Sequence, residues 1–195
     1  SGTAVQQIER LFNQAECTLK RYSLAMQDTV FMRFWMRDRG ISDEVRMVRS
    51  RRLFGPDRVA TSSFFDRDRF LNSEQVAVDL IAMPSVMSPA KRLVDFDPPR
   101  RYAHYLFRDG WLFLSGMAEQ APDITGQLSA ILQQIECALL AEKMEWFHVK
   151  LVEIYIERNL VDKAIVLEKL MTRAGTDFNV ITIHTVDGLA STHKN

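Results

Sequence analysis

The chain has 195 residues, 47% of them apolar, and its 25 basic and 25 acidic side chains cancel. That composition supports a real core in one or two domains and gives no reason to expect nucleic acid. No long apolar run and no basic-then-apolar start marks a membrane span or a leader, so a soluble, cytoplasmic protein without membrane partners is expected.

From Thr3 to Met26 the apolar residues Ile8, Leu11, Phe12, Ala15 and Leu19 recur at helical spacing, which predicts a helix with Thr3 as its cap. Thr29–Arg37 alternates. Val30, Met32, Phe34 and Met36 share one face while Arg33 and Arg37 lie on the other, the pattern of a strand with one buried side. Ser42–Leu53 reads as a second helix, with Ser42 as cap, Asp43 and Glu44 in its first turn, and Gly55-Pro56 after its end. Val59–Phe65 and Gln75–Met83 read as strands around the charged turn Asp66–Asn72. Pro84–Pro99 lacks periodicity and reads as a linker. Tyr102–Phe107 and Trp111–Ser115 flank Arg108-Asp109-Gly110, a hairpin signal. Then follow a helix at Ile124–Ala141, a strand at His148–Glu157, a helix at Asp162–Met171 and a strand at Asn179–Val186.

One stretch occurs twice. Gln7–Leu19 (QIERLFNQAECTL) and Gln127–Leu139 (QLSAILQQIECAL) share Gln, Gln, Glu, Cys and Leu in step, at numbers that differ by 120. The same offset lays Val30–Asp38 over Lys150–Arg158, and Val45 and Met47 over Ile165 and Leu167. Two copies of one α+β unit are therefore expected, residues 1–84 and 100–195, joined by the linker 85–99. The second copy owns a starting hairpin that the first lacks. The first owns a final strand whose counterpart would fall beyond Asn195. Open sheet edges need a partner, so either the chain is a piece of a longer one, or the copies or neighbouring chains complete each other's sheets. Two cysteines, Cys17 and Cys137, are too few for a disulfide scaffold and are expected as buried helix-face thiols in a reducing compartment.

Tyr102–Met117, YAHYLFRDGWLFLSGM, resembles the opening hairpin of the RidA/YjgF family, with Tyr102, Ser115 and Gly116 matching. Gln75–Met83, QVAVDLIAM, is similar to that family's last strand. The resemblance implies an α+β, chorismate-mutase-like fold, a mixed sheet with two helices on one face. It also implies trimers with clefts between subunits, and hydrolysis of reactive enamines and imines to a keto acid and ammonia. No metal or organic cofactor is implied. In the family an arginine within Pro-Ala-Arg-Ser clamps the substrate carboxylate and a last-strand glutamate helps to position water. The clamp position is here Thr61, within Val59-Ala60-Thr61-Ser62, and Ile181, within Asn179-Val180-Ile181-Thr182. The glutamate position is Asp79, and a second-helix asparagine becomes Arg46 and Leu167.

Asp79 in an apolar strand needs a partner; it is either the water-positioning acid or one half of a salt bridge to a nearby arginine. Arg46, Arg49, Arg51, Arg52 and Arg58 form the densest basic stretch. It is either a solvated helix face or the source of a replacement clamp for an anionic ligand, with Arg46, its i, i+3 neighbour Arg49, and Arg58 as the candidates. Aromatic residues are not interleaved with these arginines, which argues against RNA. Arg33 and Arg37 align with Glu153 and Glu157, as packing of one copy on the other would favour, or as salt-bridged solvent faces would. Trp35 and Tyr155 occupy equivalent positions and are expected at an interface. His104, His148, His184 and His193 lack metal-ligand spacing, and neither a phosphate loop nor a nucleophile elbow occurs.

The expected site is a hybrid. Asp79, Thr61 and Ser63 come from the first copy, and Tyr102 and Ser115 from the second. Tyr102 closes over the ligand, Ser115 forms the floor, Asp79 holds water, and one of Arg46, Arg49 or Arg58 meets the anion. The expected ligand is a small anionic metabolite of the imine or enamine type. The expected partner is further copies of the chain, as a trimer, or a second protein chain. A non-catalytic partner-binding module and a pathway-specific tailoring enzyme on the same fold are the alternatives.

Overall fold

Helix α1 (Ala4–Arg21) starts at a capping box: Thr3 Oγ1 accepts the Gln6 N–H (3.3 Å) and Gln6 Oε1 accepts the Thr3 N–H (3.1 Å). Its stripe of Ile8, Phe12 and Leu19 is buried. The structure is a computed structural model and describes residues 2–70, 72–85, 91–119, 121, 123–158, 163–175 and 180–190. It divides into two compact units, the first reaching Gly116 and the second starting at Met117.

In the first unit, β1 (Thr29–Met36) pairs in parallel with β2 (Ala60–Phe65) and antiparallel with β3 (Val76–Ala82). Parallel neighbours need a crossover, which α2 (Ser42–Arg52) supplies. Val30, Met32, Phe34 and Met36 are all buried. The Phe34 ring meets Phe12 of α1 at 6.3 Å and the Arg49 guanidinium of α2 at 5.7 Å, so both helices cover the same sheet face. Ser42 does not cap α2. It is already the first helical residue, and Ile41 before it makes no side-chain bond. Asp38 instead closes the preceding turn, accepting the Gly40 N–H at 2.7 Å.

The stretch expected as a linker contains a strand. β4 (Arg92–Val94) pairs antiparallel with β5 (Tyr105–Arg108), which pairs with β6 (Trp111–Leu114). Asp109 (φ 47°) and Gly110 (φ 83°) make the tight turn that Asp-Gly announces. Just past β6, Gly116 donates its N–H to the Thr61 carbonyl (2.8 Å). The hairpin assigned by sequence similarity to the second copy therefore packs with the first unit, where β4, β5 and β6 form a separate three-stranded sheet tied to β2 by that bond.

In the second unit, α3 (Ile124–Ala141) is capped by Asp123, which accepts the Gly126 N–H at 2.8 Å. It is followed by β7 (Leu151–Glu157), α4 (Lys163–Ala174) and β8 (Val180–Val186), with β7 and β8 parallel. Leu128, Leu132, Ile156, Val166 and Leu170 form its core. Asp162 and Asn179, expected at element starts, and His193 lie outside the described residues. The architecture is α+β throughout. The order helix, strand, helix, strand recurs at the offset read from the sequence, and so does the register: Phe31 faces Ala60 in one ladder and Leu151 faces Val180 in the other. The left-handed residue after the first helix recurs as well, Ser23 (φ 58°) and Lys143 (φ 56°).

Cys17 and Cys137 are exposed, contrary to expectation. Each stands five residues after a buried member of the helix stripe, Phe12 or Leu132, which is about 140° round the helix and off the buried side. Among the described residues no helix is long and apolar enough to cross a membrane.

Candidate functional site

Four of the five arginines between 46 and 58 have carboxylate partners. Arg46 reaches Asp43 (3.3 Å), Arg51 reaches Glu9 (3.0 Å), and Arg52 bridges Glu16 (2.7 Å) and Glu9 (3.5 Å). Arg58 grips both oxygens of Asp95. The anion-binding role expected for Arg58 is thus already answered within the chain, whereas Arg46 has an exposed carboxylate on its own helix.

Arg49 is different. It lies one helical turn beyond Val45 and next to Val48, both buried, so α2 turns it towards the sheet. It is 6% exposed, and among the described residues no carboxylate lies within ion-pair reach of it. Its Nη1 donates to Thr61 Oγ1 at a long 3.4 Å, and its buried Nε–H has no partner. The guanidinium sits 5.2 Å from the Tyr102 ring centroid, stacked between that ring and Phe34. Burial, opposed by the Tyr102 phenol and aided by Arg46 and Arg101, leaves its pKa at about 10. A charge held in this way is expensive without a counter-ion.

Around Arg49 the expected residues partly assemble. The Thr61 N–H donates to Ser115 Oγ (2.9 Å), and Ser115 Oγ donates to the Ala103 carbonyl (2.6 Å). Ser115 therefore locks the hairpin to β2, and its oxygen is used up in doing so. Gly116 is required there by close approach, since a Cβ would lie 2.9 Å from the Ser62 Cβ. The Tyr102 hydroxyl accepts from Arg100 Nη1 (3.4 Å), and its ring meets Phe96 edge-on at 5.3 Å. Ser63 faces Phe34 in the ladder and so shares the helix side of the sheet with Thr61.

Asp79 does not join them. It faces Arg33 across the β1–β3 ladder, on the sheet face opposite Thr61. Its Oδ2 accepts the Trp35 indole N–H (2.7 Å) and lies near Arg33 (3.5 Å) and Arg69 (3.9 Å). Arg69 covers the Trp35 ring at 3.6 Å, and Trp35 is buried beneath it rather than presented to a partner. The hybrid site is therefore split by the sheet. Its acid is on one side, Thr61, Ser63 and Tyr102 are on the other with Arg49, one of the three arginines expected as a clamp, and Ser115 bonds the edge of β2. Tyr155 stacks on His184 at 5.0 Å.

Two further groups were not placed at the site by the sequence. His104 shares Phe96 with Tyr102 (4.5 Å between rings), and its Nε2 is buried without a partner. Burial and then Arg100 lower its pKa, so it is neutral near pH 7. Lys91 is a buried staple whose Nζ donates to the Thr29 (2.9 Å) and Asp57 (3.2 Å) carbonyls; burial, aided by Arg108 and opposed by Asp57 and Asp28, leaves its pKa at about 8.

Two surface hollows of the first unit lie elsewhere, one along Gln7, Arg10, Gln14 and Glu74, the other along Glu16, Lys20, Gln27 and Asp57. Neither includes Arg49, whose guanidinium packs against the Tyr102 ring. Among the described residues no group of three His, Cys, Asp or Glu is placed to hold a metal. No family model, no curated protein and no solved structure matches the chain.

Proposed function

We propose that this is a RidA-like protein that holds a small anionic metabolite of the imine or enamine type at Arg49, with Thr61, Tyr102 and the neutral His104 around it. The observation that carries the reading is a buried guanidinium without a carboxylate partner among the described residues, in contact with Thr61, the residue at the family's clamp position. An arginine from α2 restores the charge that β2 lost. The guanidinium fork suits a carboxylate because two parallel N–H groups meet two oxygens. Tyr102 swings off the niche to admit the ligand and closes over it. In hydrolysis, water adds across the C=N bond and the resulting carbinolamine expels ammonia to leave the carbonyl; the neutral imidazole of His104, which shares Phe96 with Tyr102, accepts the water proton and returns it to the leaving nitrogen. Exposed thiols at Cys17 and Cys137 suit a reducing cytoplasm. A trimer, as the resemblance implies, or a second chain would bring further groups to the niche.

A second reading, anion binding without chemistry, draws on Asp79. The only acid at a family position is engaged with Trp35 on the far sheet face and cannot position water beside Arg49. Ammonia release from 2-aminoacrylate generated in situ separates the two. Acceleration by the wild type that disappears in Arg49→Met supports the enzyme. Calorimetric binding of pyruvate without acceleration supports the binder, and neither acceleration nor binding refutes the site.

A further inference from the structure

Resting on that reading, we infer that the ligand at Arg49 carries two negative charges, as a small dicarboxylate or a phosphorylated acid does, and that Arg101 selects it.

One arginine is enough for one carboxylate. This niche has more positive charge than that. Arg101 immediately precedes Tyr102, whose ring covers the guanidinium of Arg49, and both Arg101 and Arg46 act electrostatically on that guanidinium. Arg101 is exposed and has no carboxylate partner among the described residues. Among the described residues the carboxylate paired with Arg46 is Asp43, three residues back on the same helix, at 3.3 Å, and it is 86% exposed. Such an i, i+3 surface pair neutralises little.

The donor geometry points the same way. Nη1 of Arg49 is directed at Thr61, which leaves the edge carrying the orphan Nε–H and Nη2 for an incoming anion. A carboxylate or one face of a phosphate occupies that edge. A monoanion there balances Arg49 and leaves Arg101 without a counter-charge at the mouth. A second negative group, carried on the same small molecule, reaches outward from the buried edge towards Arg101 and Arg46. The inner charge is recognised by hydrogen bonds in a dry niche, and the outer one by attraction at the rim.

The test is isothermal titration calorimetry on the full chain at low salt and pH 7.5 with three probes: pyruvate, malonate and inorganic phosphate. Wild type, Arg101→Gln, Arg49→Met and Arg58→Gln are compared, each checked by circular dichroism. Malonate or phosphate is expected to bind about tenfold more tightly than pyruvate, and Arg101→Gln to shrink that gap to about threefold or less. Arg58→Gln, whose side chain is engaged with Asp95, is expected to leave the preference intact. Malonate alone showing the advantage identifies a dicarboxylate, and phosphate alone a phosphorylated acid. Equal affinity for pyruvate and the dianions, or a preference that survives in Arg101→Gln, overturns the inference and leaves the anion site standing. Binding to none of the probes, or unaltered binding in Arg49→Met, overturns the site itself.

Discussion

Replacing Arg49 with methionine should make the first unit more stable. The drop in its pKa to about 10, from an ordinary value of about 12.5, corresponds to about 3 kcal/mol held against folding by the buried charge. Sign follows from the direction. Folded and unfolded chains are both protonated at pH 7, so the penalty is fully present there and is relieved only above pH 10. Against it stand the long bond to Thr61, worth about 1 kcal/mol at most, and stacking on Phe34 and Tyr102, worth about another 1 kcal/mol. Methionine fills much of the volume and keeps the apolar contacts, so a net gain of about 1 kcal/mol remains. Urea unfolding followed by tryptophan fluorescence reads this, because Trp35 and Trp111 lie in the first unit. The midpoint of that unit should rise by about 0.5 M. Ligand reverses the order. An anion at about a hundred times its Kd adds about 2.7 kcal/mol to the wild type and nothing to the variant. A variant that is less stable than wild type by 2 kcal/mol or more, without ligand, would refute the reasoning, since the guanidinium would then be stabilised by its surroundings rather than waiting for a counter-ion.

Three further outcomes are expected. Asp79→Ala removes the acceptor of the Trp35 indole and should destabilise the first unit by about 1–2 kcal/mol in the same urea assay, while anion affinity stays within about twofold because Arg49 is on the other sheet face; loss of anion binding in a folded Asp79→Ala would count against the split site. Gly116→Ala drives a methyl group into Ser62 and should destabilise by about 1–3 kcal/mol, with Ser62→Gly restoring part of the loss; additive losses in the double variant would show that the two do not touch. Lys91 titrates at about 8 when folded and near its ordinary value, about 10.4, when unfolded, so between those values the unfolded chain binds more protons and stability rises with pH. The stability of wild type relative to Lys91→Met should therefore climb by about 3 kcal/mol from pH 7 to pH 10.5, and a flat or falling difference would show that the ammonium is not desolvated.

Much of the fold was legible because its signals are periodic. The stripe of α1, the alternation of β1 and the Asp-Gly turn each repeat over enough residues to stand out, and α3 begins and ends where its pattern does. β4 was missed because three residues, Arg92-Leu93-Val94, are too few to show alternation. The unit boundary moved because similarity along a chain and packing in space are different partitions. The hairpin goes where Ser115 and Gly116 bond, which is β2. Arg49 was a candidate clamp in the sequence, one of five arginines between residues 46 and 58, and charge alone did not separate it from Arg46 or Arg58. The signal was spacing: Val45, Val48 and residue 49 stand at i, i+3 and i+4, the side of the helix that faces the sheet. Asp79 carried the opposite lesson. Its place opposite Arg33 was foreseeable as an ion pair, but the Trp35 indole that fixes the carboxylate comes from a strand 44 residues away and no local pattern announces it.

The shared register of the two parallel ladders has a kinetic side. While the chain is folding, β1 has the length and hydrogen-bonding phase to accept β8 as readily as β2, and β7 has the same ambiguity. Crossed partners of this sort are a known trap for chains with similar modules. Arg33 in one ladder against Glu153 in the other, and Ala60 against Val180, make the mismatched pairings chemically distinct from the proper ones. Divergence between the two halves thus guards assembly, and making their strands identical should slow refolding and promote aggregation even where each half stays stable.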